Sequence, residues 1–260
     1  MTALIDSDLV PVPAATPPSG ELTWMEHLGE LRRRLLVSLG ALAAATAVAW
    51  LAYGYLVAFM VSPYRHYLSH HPGVDISNGN LVITGPLEGF TTRLKISGYF
   101  GAVLAAPVWI HQSWRFVSPG LYRHERRYAA AFVTSAVCLF AAGVATAVTV
   151  FPKAVAWLIS VSGTDMAPLF SPSRYFGLYA LACLVFGAVF TYPVFLVALE
   201  LLGVVSSARL RKSRRYAIVV LCAAAAVITP SGDPFSFLAL AVPMIIFYEA
   251  SILVGRALRK

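Results

Sequence analysis

The chain has 260 residues, 58% of them hydrophobic and only 12% charged, with a formal net charge of +8. A soluble domain of this length carries about 25% charged residues, so this composition excludes a water-soluble globular domain and requires lipid to cover the apolar surface. An excess of basic residues that gathers on one side of a membrane is a topology signal, and nucleic acid is then not implied as a partner.

In chain order, residues 1–21 are polar and proline-rich without an apolar core, and read as a disordered cytoplasmic tail rather than a secretory signal. Thr23 and Glu26 make a capping box. Trp24, Leu28, Leu31 and Leu35 share one helical stripe, so an amphipathic helix at the membrane face runs into the first span. Membrane spans are predicted at residues 35–59, 92–113, 128–151, 175–202, 216–229 and 235–255. The fifth covers only about 21 Å as a helix, and reads either as a short span or as a buried hairpin. The sequence places Pro107, Pro193 and Pro243 inside spans, where each bends its helix and together they favour a concave wall. Residues 62–91 and 152–174 are turn-rich outer loops.

With the N-terminus inside, fifteen of the 20 lysines and arginines fall on the cytoplasmic side. They are Arg32, Arg33, Arg34, Arg115, Arg123, Arg126, Arg127, Arg209, Arg211, Lys212, Arg214, Arg215, Arg256, Arg259 and Lys260. Arg65, Arg93, Lys95, Lys153 and Arg174 fall outside. This bias puts both termini in the cytoplasm.

Glu26 and Glu30 are four apart and repel mildly, and a cationic partner would relieve that. Spacing alone favours Glu30 pairing with Arg33 or Arg34, and charge alone favours Glu125 pairing with one of the four arginines in its loop. Glu249 falls mid-span, where an ionisable group is a functional candidate by default. Glu88 and Asp233 sit at outer span ends and read as caps or interface groups, while Glu200 at the inner end of the fourth span reads as facing water. His66 and His70 have helical i, i+4 spacing but no third ligand, so no metal site is expected. Cys138, Cys183 and Cys222 are isolated in apolar runs and read as packing residues. No catalytic set and no cofactor motif stands out, so no enzyme is expected.

Two segments carry a resemblance. Residues 27–35, His27-Leu-Gly-Glu-Leu-Arg-Arg-Arg-Leu35, resemble the HLxELRxRL signature of TatC, the receptor subunit of the twin-arginine protein translocase. Residues 112–127, running from Gln112-Ser-Trp-Arg-Phe through Pro119-Gly-Leu-Tyr to Glu125-Arg-Arg127, are similar to its first cytoplasmic loop, QxWxFxxPxLYxxERR. Ser62-Pro63, Pro193, Thr229-Pro230 with Asp233, and Pro243-Met244 followed by Glu249 extend the likeness over about residues 22–258. The resemblance implies an all-α polytopic fold in the cell's inner membrane, with six spans in a cupped, glove-like arrangement and the fifth and sixth short.

It further implies a receptor for twin-arginine signal peptides on folded cargo, assembling with TatA and TatB into an oligomeric, proton-motive-force-driven complex among membrane lipids. Glu30 and Glu125 match the family's acidic recognition positions, with Arg32 and Phe116 beside them, which reverses the two local ion-pair readings. His27, Pro63, Glu88, Pro119, Thr191, Asp233 and Glu249 are supporting candidates. Thr191 departs from the pattern, standing where many relatives carry Glu or Gln. A carboxylate grips a guanidinium with two parallel bonds, a fork that lysine cannot reproduce. The competing reading is a secondary transporter for a small solute, resting on Glu249, without the internal repeats such proteins usually show.

Overall fold

The computed structural model describes residues 24–69, 85–117, 129–161, 171–201 and 203–258, and within them every regular element is helical. Ten helices follow in order: α1 Trp24–Leu51, α2 Tyr53–Ser69, α3 Glu88–Leu104, α4 Ala106–Val117, α5 Ala129–Val161, α6 Pro172–Phe190, α7 Tyr192–Leu201, α8 Ser207–Lys212, α9 Arg214–Ile228 and α10 Pro234–Leu258. Among the described residues, four stretches are long and apolar enough to cross a membrane: Leu28–Leu51, Ala130–Val161, Pro172–Leu201 and Pro234–Arg256. The chain is therefore a membrane protein with several apolar helices. Helices α3, α4 and α9 have 17, 12 and 15 residues, each too short to meet that standard alone. The tail 1–21 and the Thr23 cap lie outside the described residues.

Three predicted spans are each broken by one residue. The first breaks at Ala52. The second breaks at Ala105 and the fourth at Thr191, each two residues before a proline that then sits in the first turn of the next helix, where its missing N–H costs least. Around Pro193 the chain tightens. The Thr191 N–H donates to the Ala188 carbonyl, and the Thr191 hydroxyl donates to Gly187 O at 3.0 Å. The outer loops predicted at 62–91 and 152–174 start later than that, because helix continues through Pro63 and Pro152. The α2 helix runs to Ser69 and α5 to Val161. At Pro63 the carbonyl left without an amide donor is Phe59, and the Ser62 hydroxyl donates to it at 2.9 Å. Pro152 is followed by a further apolar helical run, and membrane helices tolerate the single lost bond.

The core forms around α6. Tyr179, Cys183 and Phe186 on α6 pack with Met60, Ile96, Phe151, Leu240 and Met244 from α2, α3, α5 and α10. Helix α6 lies against α3 and α5, α1 against α3 and α4, and α10 against α5, α7 and α9. Close crossings depend on glycine. A Cβ on Gly101 would sit 2.7 Å from the Thr46 backbone, and one on Gly143 would sit 2.4 Å from the Phe186 carbonyl. Arg93, counted on the outer side at the start of the second predicted span, lies 4.4 Å over the Trp50 ring and donates to the Trp50 carbonyl at 3.1 Å. This pins the end of α1 to α3.

The stripe Leu28, Leu31 and Leu35 faces outward, as a bilayer-facing surface requires. The short basic helix α8 was absent from the sequence reading. It exists because α7 stops sharply: Gly203 takes φ 74°, its N–H donates to Glu200 O at 3.1 Å, and Val204 N–H reaches back to Leu199 O at 3.2 Å. That is the Schellman pattern.

Candidate functional site

The first motif lies on α1 and the second begins on α4, and the packing of these helices brings them side by side. A cleft of about 240 Å³ is lined by Glu30, Arg33, Arg34 and Val37 from α1 and by Gln112 and Arg115 from α4. The end of α4 is fixed from behind, because Trp114 is buried and stacks on Phe132 of α5 at 4.6 Å between ring centroids. Phe116, one residue before the end of α4, is half-buried. The carboxylate of Glu30 accepts a bond from Arg34, with 27% of the Glu30 side chain and 15% of the Arg34 side chain exposed. The ion pair that helical spacing favours is therefore present. It is of the i, i+4 kind, worth only a few tenths of a kcal/mol. The described part of the cleft carries Arg33, Arg34 and Arg115 against one carboxylate, so an incoming cation meets a local excess of positive charge there.

Glu125 and Pro119 lie outside the described residues, as do the side chains of His27 and Pro63. Arg32 is exposed on α1 and does not line the cleft; Gln112 and Arg115, not singled out from the sequence, do.

The remaining candidates are dispersed. Glu88 accepts from the Ser171 hydroxyl, joining the starts of α3 and α6. Asp233 is fully buried and caps α10, accepting the Ser236 N–H at 2.7 Å and the Ser231 hydroxyl. The Thr191 hydroxyl serves its own helix through Gly187 O. Glu249 is not isolated in mid-span: it pairs with Arg214 at 2.6 Å, at the start of α9, because α10 brings that turn level with the basic segment. Glu200 does not face water. It is fully buried, accepts from Ser207, and fits only because residue 255 is glycine, where a Cβ would lie 1.9 Å from its Oε2. The one sequence cue to that seat is the small residue at 255. Among the described residues no three His, Cys, Asp or Glu side chains gather as a metal site.

Residues 26–243 match the model of the family described as Sec-independent protein translocase protein (TatC). The chain belongs to the TatC family. Relatives named Sec-independent protein translocase protein TatC include one from Frankia casuarinae, 36% identical over 88% of this chain and 64% of that protein, and one from Corynebacterium kroppenstedtii, 34% identical over 90% and 61%. This chain therefore spans less than two thirds of those two proteins. The TatC of Carboxydothermus hydrogenoformans is 33% identical over 92% of this chain and 94% of that one. The crystal structure of the twin arginine translocase receptor TatC in DDM superposes with a TM-score of 0.73 at 31% identity, covering 88% of this chain and 99% of that one. TatC is a protein-translocase family, and both segments lining the cleft fall inside the matched range.

Proposed function

We propose that this chain is the signal-peptide receptor and core subunit of a twin-arginine translocase in the cytoplasmic membrane. In this reading α1–α2, α3–α4, α5, α6–α7, α9 and α10 are six spans of a cupped molecule with both termini inside. The basic bias of the inner segments supports that orientation. Residues 22–258 act as one domain, working with TatA and TatB in an oligomeric complex that moves folded cargo using the proton-motive force.

The observation that carries the reading is the cleft in which Glu30 on α1 meets Gln112 and Arg115 on α4. It places a partly exposed carboxylate beside α4, the helix that precedes Glu125 in the chain. One arginine of the signal peptide replaces Arg34 on Glu30, and the other engages Glu125. The two carboxylates supply the negative charge that the arginine pair binds, within a segment that remains net basic. Phe116 forms an apolar ledge at the loop mouth, and the apolar part of the peptide follows the concave wall.

Photo-cross-linking of a twin-arginine peptide to membranes containing the Glu30→Gln, Glu125→Gln double variant tests this. Binding falls by at least about tenfold, as loss of charge-assisted bonds requires, while the protein remains inserted. Normal export of twin-arginine cargo by the double variant overturns the reading, as does equal binding of peptides whose arginine pair is replaced by lysines.

A further inference from the structure

The turn between α8 and α9 carries a charge concentration that neither the cleft nor the helix packing uses. Arg209, Arg211, Lys212 and Arg215 are all exposed, and the sequence from 201 to 232 contains no acidic residue. The backbone beneath them is held in place. Ser206 caps α8 through the Arg209 N–H, Tyr248 of α10 donates to the Leu210 carbonyl at 2.8 Å, and Arg214 is paired with Glu249. The four cations thus project from a fixed support.

Immediately below them α9 presents an apolar stripe at helical spacing. Tyr216 is 79% exposed, Val220 63% and Val227 86%. Helix α9 is only 15 residues long, about 22 Å against a hydrocarbon thickness of about 30 Å. Burying the stripe in lipid therefore draws the basic elbow down to headgroup level. Long basic side chains at that depth extend to phosphate groups.

We infer that the α8–α9 elbow binds the phosphate headgroups of anionic phospholipids, with Arg209, Arg211, Lys212 and Arg215 as its cations and the Tyr216–Val220 face as the seat of the acyl chains. A soluble acidic partner fits less well, because the cations adjoin the apolar stripe directly. The inference rests on the placement of α9 across the bilayer proposed above, and not on signal-peptide binding. Each cation raises the preference for an anionic over a zwitterionic lipid by roughly fivefold, and salt weakens it.

The test is native mass spectrometry of the full chain released from nanodiscs made of equal parts phosphatidylglycerol and phosphatidylcholine. The unsubstituted chain and a Lys153→Gln control retain phosphatidylglycerol in clear excess. The variant Arg209→Gln, Arg211→Gln, Lys212→Gln, Arg215→Gln loses that excess by at least about tenfold, with unchanged thermal unfolding in detergent. Equal retention of the two lipids by the unsubstituted chain overturns the proposal, as does an undiminished excess in the fourfold variant. So does saturable binding of a polyglutamate peptide that depends on the same four residues and displaces the lipid, since it assigns the patch to an acidic protein. Maleimide labelling of cysteines placed at Ser213 and Ser231, in a background without Cys138, Cys183 and Cys222, separates the two readings. Labelling from opposite sides with no lipid preference leaves the span in place and removes only the lipid site.

Discussion

The guanidinium of Arg34 bonds one oxygen of the carboxylate that the proposed function assigns to the ligand. Glu30 and Arg34 are one turn apart on α1, a spacing at which ion pairs contribute little, and in the proposed function an arginine of the peptide takes the place of Arg34. The substitution Arg34→Gln should therefore tighten twin-arginine peptide binding several-fold, while Glu30→Gln weakens it. Titration of a labelled peptide into reconstituted protein reads both, and weaker binding in Arg34→Gln would count against the stand-in role. The other acidic residues divide by environment. Asp233 holds a helix start, Glu249 answers Arg214, and Glu200 is walled in beneath Gly255.

At the level of single helices, the breaks and stops follow from which backbone groups lose partners. Where Pro63 withholds an amide, Ser62 supplies a hydroxyl to Phe59 O, and α2 continues. Replacing Ser62 with Ala removes that donor and costs about 1 kcal/mol, measurable as a lower unfolding temperature in detergent. The left-handed Gly203 ends α7 and allows α8 to turn under α10. Gly203→Ala costs about 1–2 kcal/mol for the same backbone angle, measured the same way, and loosens the basic elbow with it.

Across the whole molecule, stability depends on helices crossing at backbone contact around α6. Two glycines on α3 make the contrast. Gly101 meets the Thr46 backbone, whereas Gly98 faces open space. Gly101→Ala should destabilise the protein by about 1–3 kcal/mol through overpacking, and Gly98→Ala should be neutral or slightly stabilising. Equal thermal shifts for the two variants would show that α1 and α3 do not approach as closely as described.

Long apolar runs, the one-sided basic residues and the two motifs are properties of neighbouring residues, and they determined that this is a helical membrane protein of the TatC family. Helix periodicity and charge bias need no partner from elsewhere in the chain, so they can be read directly. The partners of Glu200, Glu249 and Arg93 could not, because each is met by a residue on another helix: Ser207 and Gly255, Arg214, and Trp50. The continuation of α2 past Pro63 and of α5 past Pro152 was also hidden, since a proline in sequence reads as a stop unless a substitute donor or a surrounding bundle compensates. Only the tertiary packing of α1 on α4 joined Glu30 to Gln112 and Arg115. Which carboxylates meet solvent and which are enclosed depends on that packing, because burial is set by whatever lies across the helix interface and not by the residues on either side in the chain.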